Sequence, residues 1–187
     1  MSSILNVNPT CPEGCESTLP DTSFNLCSPE VSFGEITDIF IGNADADPFT
    51  DWESLAQWTA ALARDHAAAN AIRQFMVSAD LPAAVADEVV ISKGRKVYSP
   101  ATHTINVDVD DLSIENYEFA RTTSCNLQMR IWFMTPEHQY GGPEGILAMV
   151  NLRPVIERGI KSLNKLSGTI TWDAKFSAER ADSVYAT

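Results

Sequence analysis

Not one lysine, arginine or histidine occurs in the first 63 residues, although that stretch holds ten acids: Glu13, Glu16, Asp21, Glu30, Glu35, Asp38, Asp45, Asp47, Asp51 and Glu53. The remainder is nearly balanced, so this segment supplies most of the net charge of −12 and the pI near 4.5. Nucleic-acid binding draws its affinity from clustered cations that release counterions from phosphate, and an anionic membrane surface repels carboxylates. Both partners are disfavoured. A charge this far from zero serves solubility by itself or suits a basic partner, and composition leaves both open. Long apolar runs are missing too: stretches such as 146–150 fall far short of the roughly 20 residues a bilayer-crossing helix needs. No charged and then apolar leader pattern follows Met1. The expectation is a soluble, unprocessed protein with no membrane partner. Its 187 residues, 44% of them hydrophobic, suffice for the core of one domain with a short appendage.

Catalytic patterns are equally scarce. The three histidines, His66, His103 and His138, are scattered over a helix end, a strand and a loop, and no nucleophile elbow, dinucleotide fingerprint, phosphate loop or zinc-protease motif is present. The sequence therefore predicts no enzyme and no cofactor. Of the four cysteines, Cys11, Cys15 and Cys27 crowd the start and Cys125 is distant. A zinc ion wants four tetrahedral ligands, and the fourth is lacking locally, so the thiols are read as unpaired, with a late-forming disulfide or a structural zinc on these four as alternatives. The acids of 45–47 and 108–111 have the spacing of calcium ligands but not the glycine and distant glutamate of the known loop, and a solvated strand face accounts for Asp108. The glycine-rich stretch 140–145 lies between two strand-like runs and contains Glu144, so it reads as a turn and not a phosphate cradle.

What is present is pattern. Pro9, Pro12, Pro20 and Pro29 with scattered Ser, Thr and Asn make residues 1–34 an extended arm, ordered on a neighbour or packed on its own domain. Residues 35–42 read as a first strand. Thr50, with Glu53 three residues on, has the form of a capping box, and Trp52, Leu55, Trp58 and Leu62 recur at helical spacing, predicting a helix over 51–65. Residues 72–79 are read as a strand, with continued helix as the alternative. Short strands at 89–91 and 96–98 flank a turn, and 103–109 alternates Ile105, Val107 and Val109 on one face. Ser113 caps a second helix over 114–123, with Ile114, Tyr117 and Ala120 or Arg121 along one side. Strands follow at 126–134, at 146–152, around Val155 and Ile156, and at 169–176, where Ile170, Trp172, Ala174 and Phe176 alternate with polar residues. The fold class is α+β, mostly β: an antiparallel sandwich or barrel-like body over 35–187, with one or two helices and the N-terminal arm.

This layout resembles the major tail tube proteins of long-tailed bacteriophages. The residues that carry the resemblance are 33–40 (Phe33 to Phe40), 117–119 (Tyr117 to Phe119), 140–145 (Tyr140 to Gly145) and 166–176 (Leu166 to Phe176). It implies a structural virion protein, assembled in the host cytoplasm, whose copies close into hexameric rings and stack into a tube around the DNA path. Its partners would be copies of itself and other virion proteins, with DNA passing through the lumen unbound because carboxylates around a channel repel phosphate. Strand edges would pair across subunits. The candidate subunit contacts are Cys11, Pro12 and Phe24 on the arm, Tyr98 beside the 92–100 loop, and Tyr140, Gly141 and Gly142 in the 136–145 loop, which otherwise forms a long hairpin. The alternatives are another virion component, such as a capsid decoration or head-completion protein, and a cysteine-based metal-binding interaction module.

Overall fold

The computed structural model describes residues 34–65, 68–86, 88–91, 96–123, 128–156 and 164–185. Along the chain lie β1 (Ile36–Asn43), α1 (Leu55–Leu62), β2 (Ile72–Asp80), β3 (Glu88–Val90), β4 (Lys96–Tyr98), β5 (Ala101–Val109), α2 (Ile114–Thr123), β6 (Gln128–Met134), β7 (His138–Tyr140), β8 (Ile146–Val155), β9 (Lys165–Ala174) and β10 (Arg180–Asp182). Six strands in the order β1-β2-β5-β9-β8-β6 close into an antiparallel barrel, because β1 pairs with β2 on one side and β6 on the other. The body is thus α+β, mostly β, and of the two expected forms it takes the barrel. β7 and β10 continue the sheet beyond β6, and β3 and β4 form a separate hairpin.

Alternation fills the barrel. Ile105, Val107 and Val109 of β5, Ala148, Val150 and Leu152 of β8, and Leu166, Ile170 and Trp172 of β9 point inward to meet Ile131, Phe133, Ile39 and Ile41. A bulge between Ile36 and Asp38 shifts the β1–β2 register, which lets Ile36 join that core three residues from Ile39. At the place of an inward side chain, Gly168 pairs with Val107 and Leu152, and a Cβ there would collide with the Asn151 carbonyl oxygen. Strand contact at that point requires glycine.

β1 and β6 are buried on both faces. Phe40, Trp132 and Met134 point outward into a second core with Phe49, Trp52, Trp58, Ala61 and Ile72, sealed by α1 and the segment before it. The Trp58 ring lies 4.7 Å from Phe40 and 4.3 Å from Phe49, and its indole N–H donates to the Trp52 carbonyl at 2.7 Å. Each such ring buries about 150–250 Å², roughly 4–6 kcal/mol as an upper bound at 25 cal/mol per Å².

Several boundaries differ from expectation, each for a physical reason. The first helix starts at Leu55, not 51, and Thr50 forms no capping box: Gln57 Oε1 accepts the Thr50 and Asp51 N–H groups, while Asp51 Oδ1 accepts Glu53 N–H. Residues 50–53 are a turn that buries Trp52 instead of adding it to the helix face. The strands expected at 146–152 and near 155 are one strand. Pro154 interrupts nothing, because β6 pairs only with 146–149 of β8, leaving Pro154 a strand neighbour on one side alone. In α2, Phe119, Ala120 and Thr123 face the body, while Ile114 and Tyr117 are exposed. The 136–145 loop contains β7. Edge pairing by the body strands between copies is also restricted, since each barrel strand has neighbours on both sides over part of its length. Among the described residues, β10 and the hairpin have free edges over their full length, and the stretches 72–77 of β2, 101–105 of β5 and 150–155 of β8 lack a strand neighbour on one side.

Candidate functional site

Strand register places the chain's excursions. β5 runs from Ala101, opposite Ala174, to Val109, opposite Leu166, and Asp80 pairs with Asn106. The 81–100 excursion therefore leaves one end of the barrel, here called the upper rim. Gly34, where the described chain begins, is at the same rim beside Pro136, and it shares a groove with Leu81, Asp80 and Tyr140. The opposite, lower rim holds α2, and there Val155 pairs with Lys165.

The hairpin of the upper rim leaves much apolar surface uncovered. Tyr98 is 67% exposed and Val90 63%, with Leu81, Val85, Val89, Ile91 and Val97 exposed as well. Each hairpin strand has only three residues. A two-stranded ribbon without a packed face is marginal in water, so apolar side chains along it are ordinarily covered by something else. Of the contacts expected from sequence, Tyr98 stands on this ribbon.

Tyr140, Gly141 and Gly142 have internal roles. The Tyr140 ring stacks on Phe133 with centroids 4.8 Å apart. The Gly142 carbonyl accepts the Trp132 indole N–H at 2.8 Å, and positive φ at Gly141, Gly142 and Gly145 lets the loop wrap that ring. A side chain at Gly145 would meet Trp132 at 2.5 Å. Within 140–145 the exposed residues are Pro143 and Glu144. Cys11, Pro12, Phe24, Cys15, Cys27 and Cys125 lie outside the described residues, as does His66.

A second surface was not foreseen. The outer face of β2, β5, β9 and β8 carries no covering helix, in contrast to β1 and β6. It presents Thr102, Thr104, Asn106 and Asp108 from β5, and Ser167, Thr169, Thr171 and Asp173 from β9, flanked by Ser78, Asp80, Asn151 and Arg153, and by the exposed apolar Met76 of β2 and Leu147 and Met149 of β8. These polar groups bond among themselves: Thr102 Oγ1 donates to Asp173 at 2.6 Å, Asn106 to Asp80 at 3.1 Å, and Lys165 to Asp108 at 2.7 Å. Hydrogen bonds from Lys165 and Ser167, and the Lys165 charge, hold the Asp108 carboxyl below its usual range. Alternation of Thr, Asn and Asp against the inward apolar residues was the signal that could have identified this wall.

His103 stacks on Trp172, and buried His138 has its Nδ1 3.7 Å from Asp182 without a hydrogen-bond partner. Among the described residues no group of three His, Cys, Asp or Glu side chains is placed to hold a metal ion, and no helix is long and apolar enough to cross a membrane. Asp45 and Asp47 are exposed, while Asp111 accepts from Ser113 N–H and the Asn116 amide. Compared with protein-family models, curated proteins and solved structures, the chain matches none.

Proposed function

We propose that this protein is a self-assembling structural subunit of a phage virion, whose copies close into rings and stack as a tail tube around the DNA path. The observation that carries the reading is the projecting β3–β4 hairpin with its exposed valines and Tyr98. Burying four such side chains is worth about 1.5–3 kcal/mol each, whereas association of two proteins costs about 4–15 kcal/mol. One hairpin contact is therefore marginal for a pair of copies. In a ring or stack each copy both offers and receives a hairpin, and the second contact forms at high effective concentration. The surface suits multivalent assembly.

Two further features support it. The bare wall is polar along β5 and β9, with Asp108 and Asp173, Asp80 of β2 beside them, and its lysine already engaged by Asp108. Facing a lumen, such a wall offers phosphate no free cluster of cations to grip. Gly34, the first described residue, lies on the same rim as the hairpin. The reading is tested by negative-stain images of concentrated purified protein. Rings or tubes are expected; monomers or trimers that bind capsids would favour a decoration protein and contradict it.

A further inference from the structure

Beyond β9 the chain returns to the body as a strap. The three residues of β10 pair with β7; Gly141 N–H donates to the Glu179 carbonyl at 3.0 Å, Ser183 N–H to the Glu137 carbonyl at 2.8 Å, and Val184 N–H to Gln139 Oε1 at 3.2 Å. Ala181 and Val184 pack against the second core. A strand this short, with a neighbour on one side only, opens more readily than the barrel it lies on, so its few contacts decide whether it stays down.

One polar atom under this strap lacks a partner. His138 of β7 and Asp182 of β10 are paired in register, which puts both side chains on the same face of the ribbon. The His138 side chain is 7% exposed, and its Nδ1 is sealed from solvent with no hydrogen bond, a loss of about 1–3 kcal/mol for a buried polar group. Asp182 Oδ1 lies 3.7 Å away, beyond hydrogen-bond reach, on a fully exposed side chain that rotation can bring closer. A proton on Nδ1 turns that atom into a charged donor, and such a donor bonds a carboxylate at about 2.7–2.9 Å. The other charged or titratable groups beside this ring are Tyr140 of β7, edge-on with centroids 6.4 Å apart; Arg180 of β10, which pairs with Tyr140 and competes for Asp182; exposed Glu137, next in the chain; Glu179, over Gly142; and Glu35, across the groove that Tyr140 lines.

We propose that His138 and Asp182 form an acid-operated latch: a proton on His138 Nδ1 closes the bond to Asp182 and holds β10 on β7, and loss of that proton lets the strap lift. The charged pair exists only with His138 protonated and Asp182 ionised. Its contribution is therefore present on the acid side of the histidine range and is lost as pH rises through that range. Lifting the strap bares the edge of β7 and the Ala181 and Val184 side of the second core, a surface open to another strand; acid keeps it covered. The latch does not depend on self-assembly.

The test is amide hydrogen exchange of the full chain, read by mass spectrometry on the strap peptide 178–185 and corrected for intrinsic rates, at about pH 5.5 and about pH 8. These values bracket ordinary histidine titration. The strap's Tyr185 stays outside the range, because burial and the Asp38 charge push its phenol above the usual 10.0. Protection of the strap should be about threefold greater at the acid value, the scale of a partly exposed ion pair, and equal at the two values in Asp182→Asn. That position is fully exposed, so the variant should keep the parent's urea midpoint at pH 8. The barrel peptide 166–173 should show no acid gain. Equal protection of the parent strap at both values, weaker protection in acid, a gain that survives in Asp182→Asn, or one shared by the barrel peptide would overturn the latch.

Discussion

At the scale of single residues, a few side chains hold the covering segments to the barrel. Gln139, 1% exposed, donates to the Trp52 carbonyl at 2.9 Å and accepts the Val184 N–H at 3.2 Å, which ties the turn before α1 and the chain after β10 to β7. Gln139→Leu leaves the Val184 N–H without this acceptor, and a loss of about 1–3 kcal/mol is expected in urea unfolding. Gly168→Ala should cost at least as much, since the new Cβ meets backbone and not a movable side chain. Asp108 gives a dependence on acid. Its carboxyl is held low by Lys165 and Ser167, so its contribution is fully present above the ordinary value of about 3.9 and is lost as pH falls through the lower folded value. Unfolding midpoints measured between neutral pH and strong acid should fall less steeply for Asp108→Asn than for the parent. None of these three roles was legible in sequence, because each depends on a partner distant along the chain: 87 residues separate Trp52 from Gln139 and 57 separate Asp108 from Lys165.

At the scale of elements, the readable features were those with a period. Alternation marked β5 and β9, and the unbroken apolar runs 39–41 and 131–134 are what strands buried on both faces look like, as β1 and β6 are. Helix α1 was legible in kind but not in its start, because Gln57 and Trp52 claimed the capping segment for tertiary contacts. In α2 the spacing gave the helix and a side shared by Ile114, Tyr117 and Arg121, but not which side meets the body: these three are exposed, and Phe119, Ala120 and Thr123 face inward. The hairpin was legible as two short strands, yet its exposure was not, since apolar alternation alone does not tell a buried ribbon from a bare one. Val90→Ser with Tyr98→Ser should leave the urea midpoint within about 0.5 kcal/mol of the parent, the usual range for exposed positions. The same variant should lose light scattering from assemblies. A large loss of stability would mean that the ribbon packs on its own barrel.

For the whole molecule, the account joins an asymmetric barrel to a mode of assembly. One side is sealed by α1 over a tryptophan-rich second core, and the opposite wall is bare, and polar along β5 and β9. The two ends carry different apolar side chains: Val90 and Tyr98 on the hairpin at one, Ile114 and Tyr117 at the other. Removing residues 1–30 should leave a folded chain that no longer polymerises, and electron microscopy of that truncation showing tubes of normal length would dismiss the arm's role. The barrel itself was half legible: composition and alternation gave a mostly-β body, but closure rests on β1 pairing with both β2 and β6, which local pattern does not encode. The most direct measurement is sedimentation velocity on the full chain over a concentration series. The account predicts a rise from the 20.5 kDa species to discrete rings and then to long polymers; a single 20.5 kDa boundary at every concentration would contradict it.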